Sequence, residues 1–168
     1  MVGNKNRMIS STWRISWLSV LLFFTCEWTG TYQKVVALEH DQWPVAHVLD
    51  FSFSIEDAAQ AYDVCLLVKN TQAYPYQNLY VTYYLEDATQ HLLDTELKNY
   101  AIFDAKTGKP LGKGLWKSKR HRFSLVANHR FPRPGSYTLK LVQFMRTDLL
   151  PGLQAVGIRV MRSKQISQ

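Results

Sequence analysis

Leu49-Asp50-Phe51-Ser52-Phe53-Ser54-Ile55 alternates apolar and polar side chains without a break. Successive side chains of a strand point to opposite faces, so this stretch predicts a strand that buries Leu49, Phe51, Phe53 and Ile55 and leaves Asp50, Ser52 and Ser54 in water. Working outward, the period of two returns. Tyr62, Val64, Leu66 and Val68 repeat it and end at Asn70-Thr71, and Leu79 to Leu85 is aromatic and β-branched. Phe123, Leu125 and Ala127 sit at spacing two, and Tyr137, Leu139, Leu141 and Gln143 make another face. His91 to Lys98, Tyr100 to Asp104 and Leu153 to Met161 read as further strands. Pro75, Lys106-Thr107-Gly108-Lys109-Pro110, Pro132, Pro134-Gly135 and Pro151-Gly152 punctuate them, since proline cannot donate to a ladder and glycine turns the chain. The pattern predicts an all-β fold: one β-sandwich domain of about eight mainly antiparallel strands, with room for a helical turn at 144–150. The sandwich is expected over 47–162. A signal and anchor segment at 1–25 and a tether with a lead-in strand at 26–46 precede it, and a tail at 163–168 follows.

Residues 1–14 carry Lys5, Arg7 and Arg14 and no acid, and Ile15 to Thr25 runs apolar and aromatic up to Cys26. A basic head, a short apolar run and a boundary are the parts of a secretory signal. The run is about half of the roughly 20 residues a helix needs to cross a bilayer. A cysteine directly behind it points to a lipoprotein, cut before Cys26 and acylated on its sulfur. Phe23 and Thr25 stand where such a signal usually has leucine and a small residue. An uncleaved short anchor, or cleavage elsewhere, are the readings beside it.

The chain has 168 residues, 46% of them hydrophobic, which suffices for one domain with its own core. With Cys26 acylated, Cys65 is the remaining thiol. Its place in Val64-Cys65-Leu66-Leu67-Val68 reads as that of a small buried hydrophobe rather than a reactive group. The formal charge is +7, and its distribution is lopsided: residues 27–104 hold 12 acids and 3 bases, whereas 105–147 hold 11 bases and no acid. Either strands of the two halves interleave and neutralise one another, or a cationic face meets anionic lipid, lipopolysaccharide or a partner. Nucleic acid is not an expected partner of an exported chain without a binding motif.

No catalytic constellation stands out. His40, His47, His91, His121 and His129 are scattered without ligand spacing, so no metal and no cofactor is expected. Asp94 and Glu96 share one strand face, which suits solvation better than a carboxylate pair across a cleft. Phosphate loops, dinucleotide fingerprints and nucleophile elbows are missing from the sequence, so no small-molecule substrate is expected. Gly112-Lys113-Gly114 reads as a glycine turn, with anion capture by its amides as the alternative. The aromatic residues Tyr74, Tyr76, Tyr80, Tyr83, Tyr84 and Trp116 divide among core, partner surface and a sugar-stacking platform. The loop Tyr74, Tyr76 and Asn78, with the corner Met145-Arg146, is the candidate partner contact, because arginine beside methionine at a loop suits recognition. Alternatively Arg146 holds the corner by donating to backbone carbonyls.

Three blocks carry a resemblance. The first is Asn70-Thr71, Tyr74-Pro75-Tyr76 and Asn78-Leu79-Tyr80. The second is Asp94-Thr95, Asp104, Gly108 and Leu111-Gly112-Lys113-Gly114. The third runs from Pro134-Gly135-Ser136-Tyr137 through Gln143, Met145-Arg146 and Leu150-Pro151-Gly152 to Val156-Gly157-Ile158-Arg159. In this order, over about 47–160, they resemble the gliding motility lipoprotein GldH family of Bacteroidetes, with Leu111 where that family commonly has tryptophan. The resemblance implies a non-enzymatic cell-envelope protein anchored by Cys26 to a membrane, at the outer membrane or the periplasmic face. It further implies a scaffold for other gliding and type IX secretion proteins, with no catalytic residues. A carbohydrate- or peptidoglycan-binding lipoprotein and an envelope hydrolase are the competing readings.

Overall fold

The alternation that opens the sequence becomes a ladder. Leu49–Ile55 (β3) pairs antiparallel with Gly135–Gln143 (β8), placing Leu49 opposite Leu141, Phe51 opposite Leu139 and Phe53 opposite Tyr137. All six of these side chains are buried. Burying each is worth about 1.5–3 kcal/mol, which fixes the register, because a slip of one residue would turn the apolar face outward. The computed structural model describes residues 32–114 and 117–164. Cys26, the signal at 1–25 and Trp116 lie outside the described residues.

The other strands are Tyr32–Ala37 (β1), Gln42–Pro44 (β2), Ala61–Thr71 (β4), Asn78–Asp87 (β5), Leu92–Ala101 (β6), Ser118–Arg130 (β7), Leu149–Pro151 (β9) and Leu153–Arg162 (β10). They form two four-stranded sheets, in the orders β1-β10-β4-β7 and β3-β8-β5-β6, and the short pair β2-β9. Every ladder is antiparallel. The sheets pack as a sandwich, as the sequence predicts. Val64, Leu66 and Val68 of β4, with Val156, Ile158 and Val160 of β10, face the inner side of the second sheet. At one end Phe131 packs edge-on against Phe53 and Tyr62 and at a tilt against Tyr137. At the other, the wholly buried Trp43 of β2 stands opposite Leu150 of β9.

Three local expectations change. Of the stretches expected as separate strands at 91–98 and 100–104, Leu92–Ala101 is one strand, β6, and 102–104 lies beyond it, with only an isolated bridge from Phe103 to Pro110. Asn99 does not break the strand, because it lies on the outer face, opposite Tyr80, and accepts a hydrogen bond from Asn78 Nδ2 at 2.9 Å. In β7 the spacing-two pattern slips after Leu125: Val126 turns inward and Ala127 outward, where the β4 register shifts around Val64. The helical turn allowed at 144–150 is absent; that stretch is a bend followed by β9. Local neutralisation of the basic half is also sparse. Of the cations in 105–147, those that form ion pairs among the described residues are Arg133, with Asp87 at 3.4 Å, and Lys140, with Glu86 at 2.8 Å.

Candidate functional site

The loop after β4 and the corner after β8 meet at the same end of the second sheet. Tyr74 is buried, its hydroxyl donating to the Asn78 carbonyl at 2.8 Å and its ring stacking on Phe103. Burial pushes its phenol well above the usual range. Tyr76 meets the Tyr74 ring edge-on at 5.9 Å and remains exposed. The Gln77 carbonyl accepts from both Ile102 and Phe103, so the loop is tied to the end of β6. Behind it Gly152, at φ +81°, packs flush on the Ala73–Tyr74 backbone, and its carbonyl accepts the Thr71 N–H at 2.8 Å.

The corner is organised by Gln143, which is wholly buried. Its Nε2 donates to the Thr147 carbonyl at 2.9 Å, and its Oε1 accepts the Met145 N–H at 2.8 Å. One side chain thereby satisfies two backbone groups of the bend between β8 and β9. Met145 is half-buried, with its sulfur accepting the Tyr80 N–H at 3.3 Å, and Phe144 N–H donates to the Tyr80 carbonyl. The start of β5 is therefore the shared support of loop and corner. Arg146 is exposed and makes no hydrogen bond or ion pair among the described residues; Gln143 holds the corner in its place. Phe144 is 62% exposed, and the motif reading passed over it. Its signal was the alternation itself, since Leu139, Leu141 and Gln143 point inward and the next residue must point out.

Of the five clustered tyrosines, Tyr74 and Tyr83 are core, Tyr80 is half-buried, and Tyr76 and Tyr84 reach the surface. Asp94 accepts the Tyr83 hydroxyl at 2.7 Å, while Glu96 pairs with Lys98 at 2.5 Å. The carboxylates serve their own sheet. Among the described residues no three His, Cys, Asp or Glu side chains gather where they could hold a metal ion. No helix among them is long and apolar enough to cross a membrane.

A second polar centre joins the first two sequence blocks. Asn70, buried, places Oδ1 2.9 Å from His121 Nε2 and donates its amide to the Thr71 carbonyl. Gly112 lies against the imidazole so closely that a Cβ there would stand 2.6 Å from Nε2. Burial lowers the pKa of His121, and of His129 as well, below the ordinary 6.5. The unfolded chain then takes up protons before the folded one as pH falls. Stability is full above 6.5 and declines below it toward the folded values. Urea midpoints measured at about pH 7.5 and pH 5 should show the loss, and His121→Gln should flatten the acid limb.

The fold and this end surface define a small antiparallel β-sandwich that presents a braced loop and corner at one end of its second sheet. The GldH lipoprotein family model matches residues 30–160, and the chain belongs to that family. A curated relative, the "Gliding motility lipoprotein GldH homolog" of Christiangramia forsetii, is 22% identical over 152 residues, covering 86% of this chain and 91% of its own. Membership of a lipoprotein family implies attachment to a membrane of the cell envelope. Among solved structures, the VP2 subviral particle of infectious bursal disease virus is 18% identical, with a TM-score of 0.41 over 79% of this chain. The particle of that virus's Gx strain is 16% identical, with a TM-score of 0.40 over 82%. The chain spans about a third of the length of either matched viral chain.

Proposed function

We propose that this protein is a lipid-anchored, non-enzymatic component of the gliding motility machinery, linked to type IX secretion, that holds other envelope proteins together. Family membership and the printed name of the Christiangramia relative support the motility assignment. The observation that carries the scaffold role is the end surface: Phe144, Arg146 and Tyr76 are exposed on a backbone that Gln143, Tyr74 and Gly152 hold rigid. An exposed aromatic beside an unpaired arginine has the composition of an interface anchor. In this reading Tyr76, Asn78 and Arg146 touch the partner, and Tyr74 and Met145 stand behind them as supports. Acylated Cys26 keeps the surface at the membrane.

Complementation of a deletion strain tests both halves. The wild-type gene should restore colony spreading, and Cys26→Ser should fail because the protein leaves the membrane fraction. Phe144→Ser with Arg146→Glu should also fail, while its thermal midpoint stays within about 2 °C of wild type, since both side chains are solvated. Normal spreading by the deletion strain would sink the motility role. Normal spreading by the double variant would move the contact elsewhere.

A further inference from the structure

The outer face of the sheet β1-β10-β4-β7 holds a groove of about 1060 Å³ that runs under the 111–114 loop. Four cations line it: Lys69, Lys113, Arg120 and Arg122. No acid stands among the lining residues, and none of the four forms an ion pair among the described residues. Their placement is unfavourable for the fold. Lys69 stands directly opposite Arg120, and Arg122 follows two residues on along the same face. Facing side chains on antiparallel strands start about 5 Å apart at Cβ, where like charges destabilise. Lys113 is brought to the same place by a reciprocal backbone bridge with Arg120, at 2.9 and 2.8 Å. On the neighbouring row Arg159, opposite Cys65, has a buried Nε without a partner. Repulsion built into a ladder is relieved by an anion.

The rest of the groove narrows the class of anion. Val35, at 49% exposed, and Leu111, at 55%, stand beside Leu67 and Ala155, so apolar surface adjoins the charges. A bare phosphate would use only the cations, whereas an amphiphile uses both. Gln33 lines the groove one residue after the described chain begins, and Tyr32 follows Cys26 by six residues, about 20 Å when fully extended. A bilayer holding an acyl group on Cys26 is therefore within reach of this face, and acyl anchors are commonly reinforced by a basic patch.

We propose that the groove docks the phosphate headgroups of anionic phospholipids in the membrane that carries the anchor, giving the domain a second membrane contact. The proposal rests on the lipid-anchored reading above. The test reconstitutes the full chain, isolated from membranes, into phosphatidylcholine vesicles with or without about one third phosphatidylglycerol, and follows arginine modification by phenylglyoxal with mass spectrometry. Phosphatidylglycerol should slow modification of Arg120 and Arg122 on the order of threefold, leave Arg133 unchanged, and lose its effect in about 0.5 M salt. Lys69→Glu should abolish that protection while raising the thermal midpoint, because an opposite-charge pair then replaces a like-charge one. Equal rates in the two lipids, or slowing that extends to Arg133, overturns the groove and leaves the anchor intact. Failure to float with either vesicle overturns the anchor and the groove together. Protection by added polyglutamate and none by phosphatidylglycerol overturns the lipid in favour of an acidic protein.

Discussion

Gly152→Ala should lower stability by about 3 kcal/mol, roughly a quarter or more of what a domain of this size has to lose. Two costs combine. At φ +81° the backbone lies in the left-handed region, where an L side chain costs about 1–2 kcal/mol. The added Cβ would also press on the backbone of Tyr74 and lie 2.7 Å from the carbonyl carbon of Ala73. Backbone cannot rotate out of the way as a side chain can, so the 71–74 segment must move and weaken the Thr71 N–H to Gly152 carbonyl bond. Overpacking of that kind costs about 1–3 kcal/mol. Gly108→Ala is the internal control. It shares a positive φ, at +64°, but nothing lies within 4 Å of its new Cβ, so its loss should stay near 1 kcal/mol. Urea unfolding of the purified proteins, compared by midpoint at unchanged slope, separates the two costs. Equal losses at both glycines would show that close packing behind Tyr74 adds nothing.

That contrast explains how much of the molecule was legible before its structure. Period-two patterning carries the fold wherever one face is buried, so β3, β4, β5 and β8 stand where the alternation put them. It fails at bulges, since an extra residue reverses the phase, and Ala127 and Val126 exchanged faces for that reason. It also says nothing about which strands are neighbours. The pairing of Lys69 with Arg120 joins positions 51 apart, and no local pattern predicts that like charges will meet there. The fold brings the loop and corner singled out in the sequence together at one end of the second sheet, but their letters do not say which side chains are buried. Tyr74 and Arg146 carry equal weight as letters, yet one is buried behind the loop and the other is in water. Gln143 continued an inward-facing series, and only the reversal that follows it explains why that last buried position is an amide.

Trp43→Ala should cost about 3–5 kcal/mol, the range for truncating a fully buried large aromatic. In a chain of this size that lowers the thermal midpoint by about 10 °C. The residue sits in the polar, mixed stretch read as tether and lead-in strand, where no alternation signals a core position. It is nevertheless completely buried, opposite Leu150, with its indole N–H donating to the His47 carbonyl at 2.8 Å. Its strand β2 pairs with β9, which directly follows the Gln143–Thr147 corner, and Val45 N–H reaches the Asp148 carbonyl. The cavity left by alanine would therefore open beside the surface proposed for partner contact, so the substitution should loosen that surface as well as lower global stability. Hydrogen exchange separates the two effects: amides of 144–150 should lose protection by more than the global loss requires, while those of β3 and β8 should track it. Trp43→Phe keeps most of the volume and removes only the N–H, so it should cost about 1–2 kcal/mol and leave the corner protected. A loss below about 1 kcal/mol for alanine would mean that β2 and β9 are a peripheral flap. A large loss with unchanged relative protection at 144–150 would mean that Gln143 alone sustains the corner.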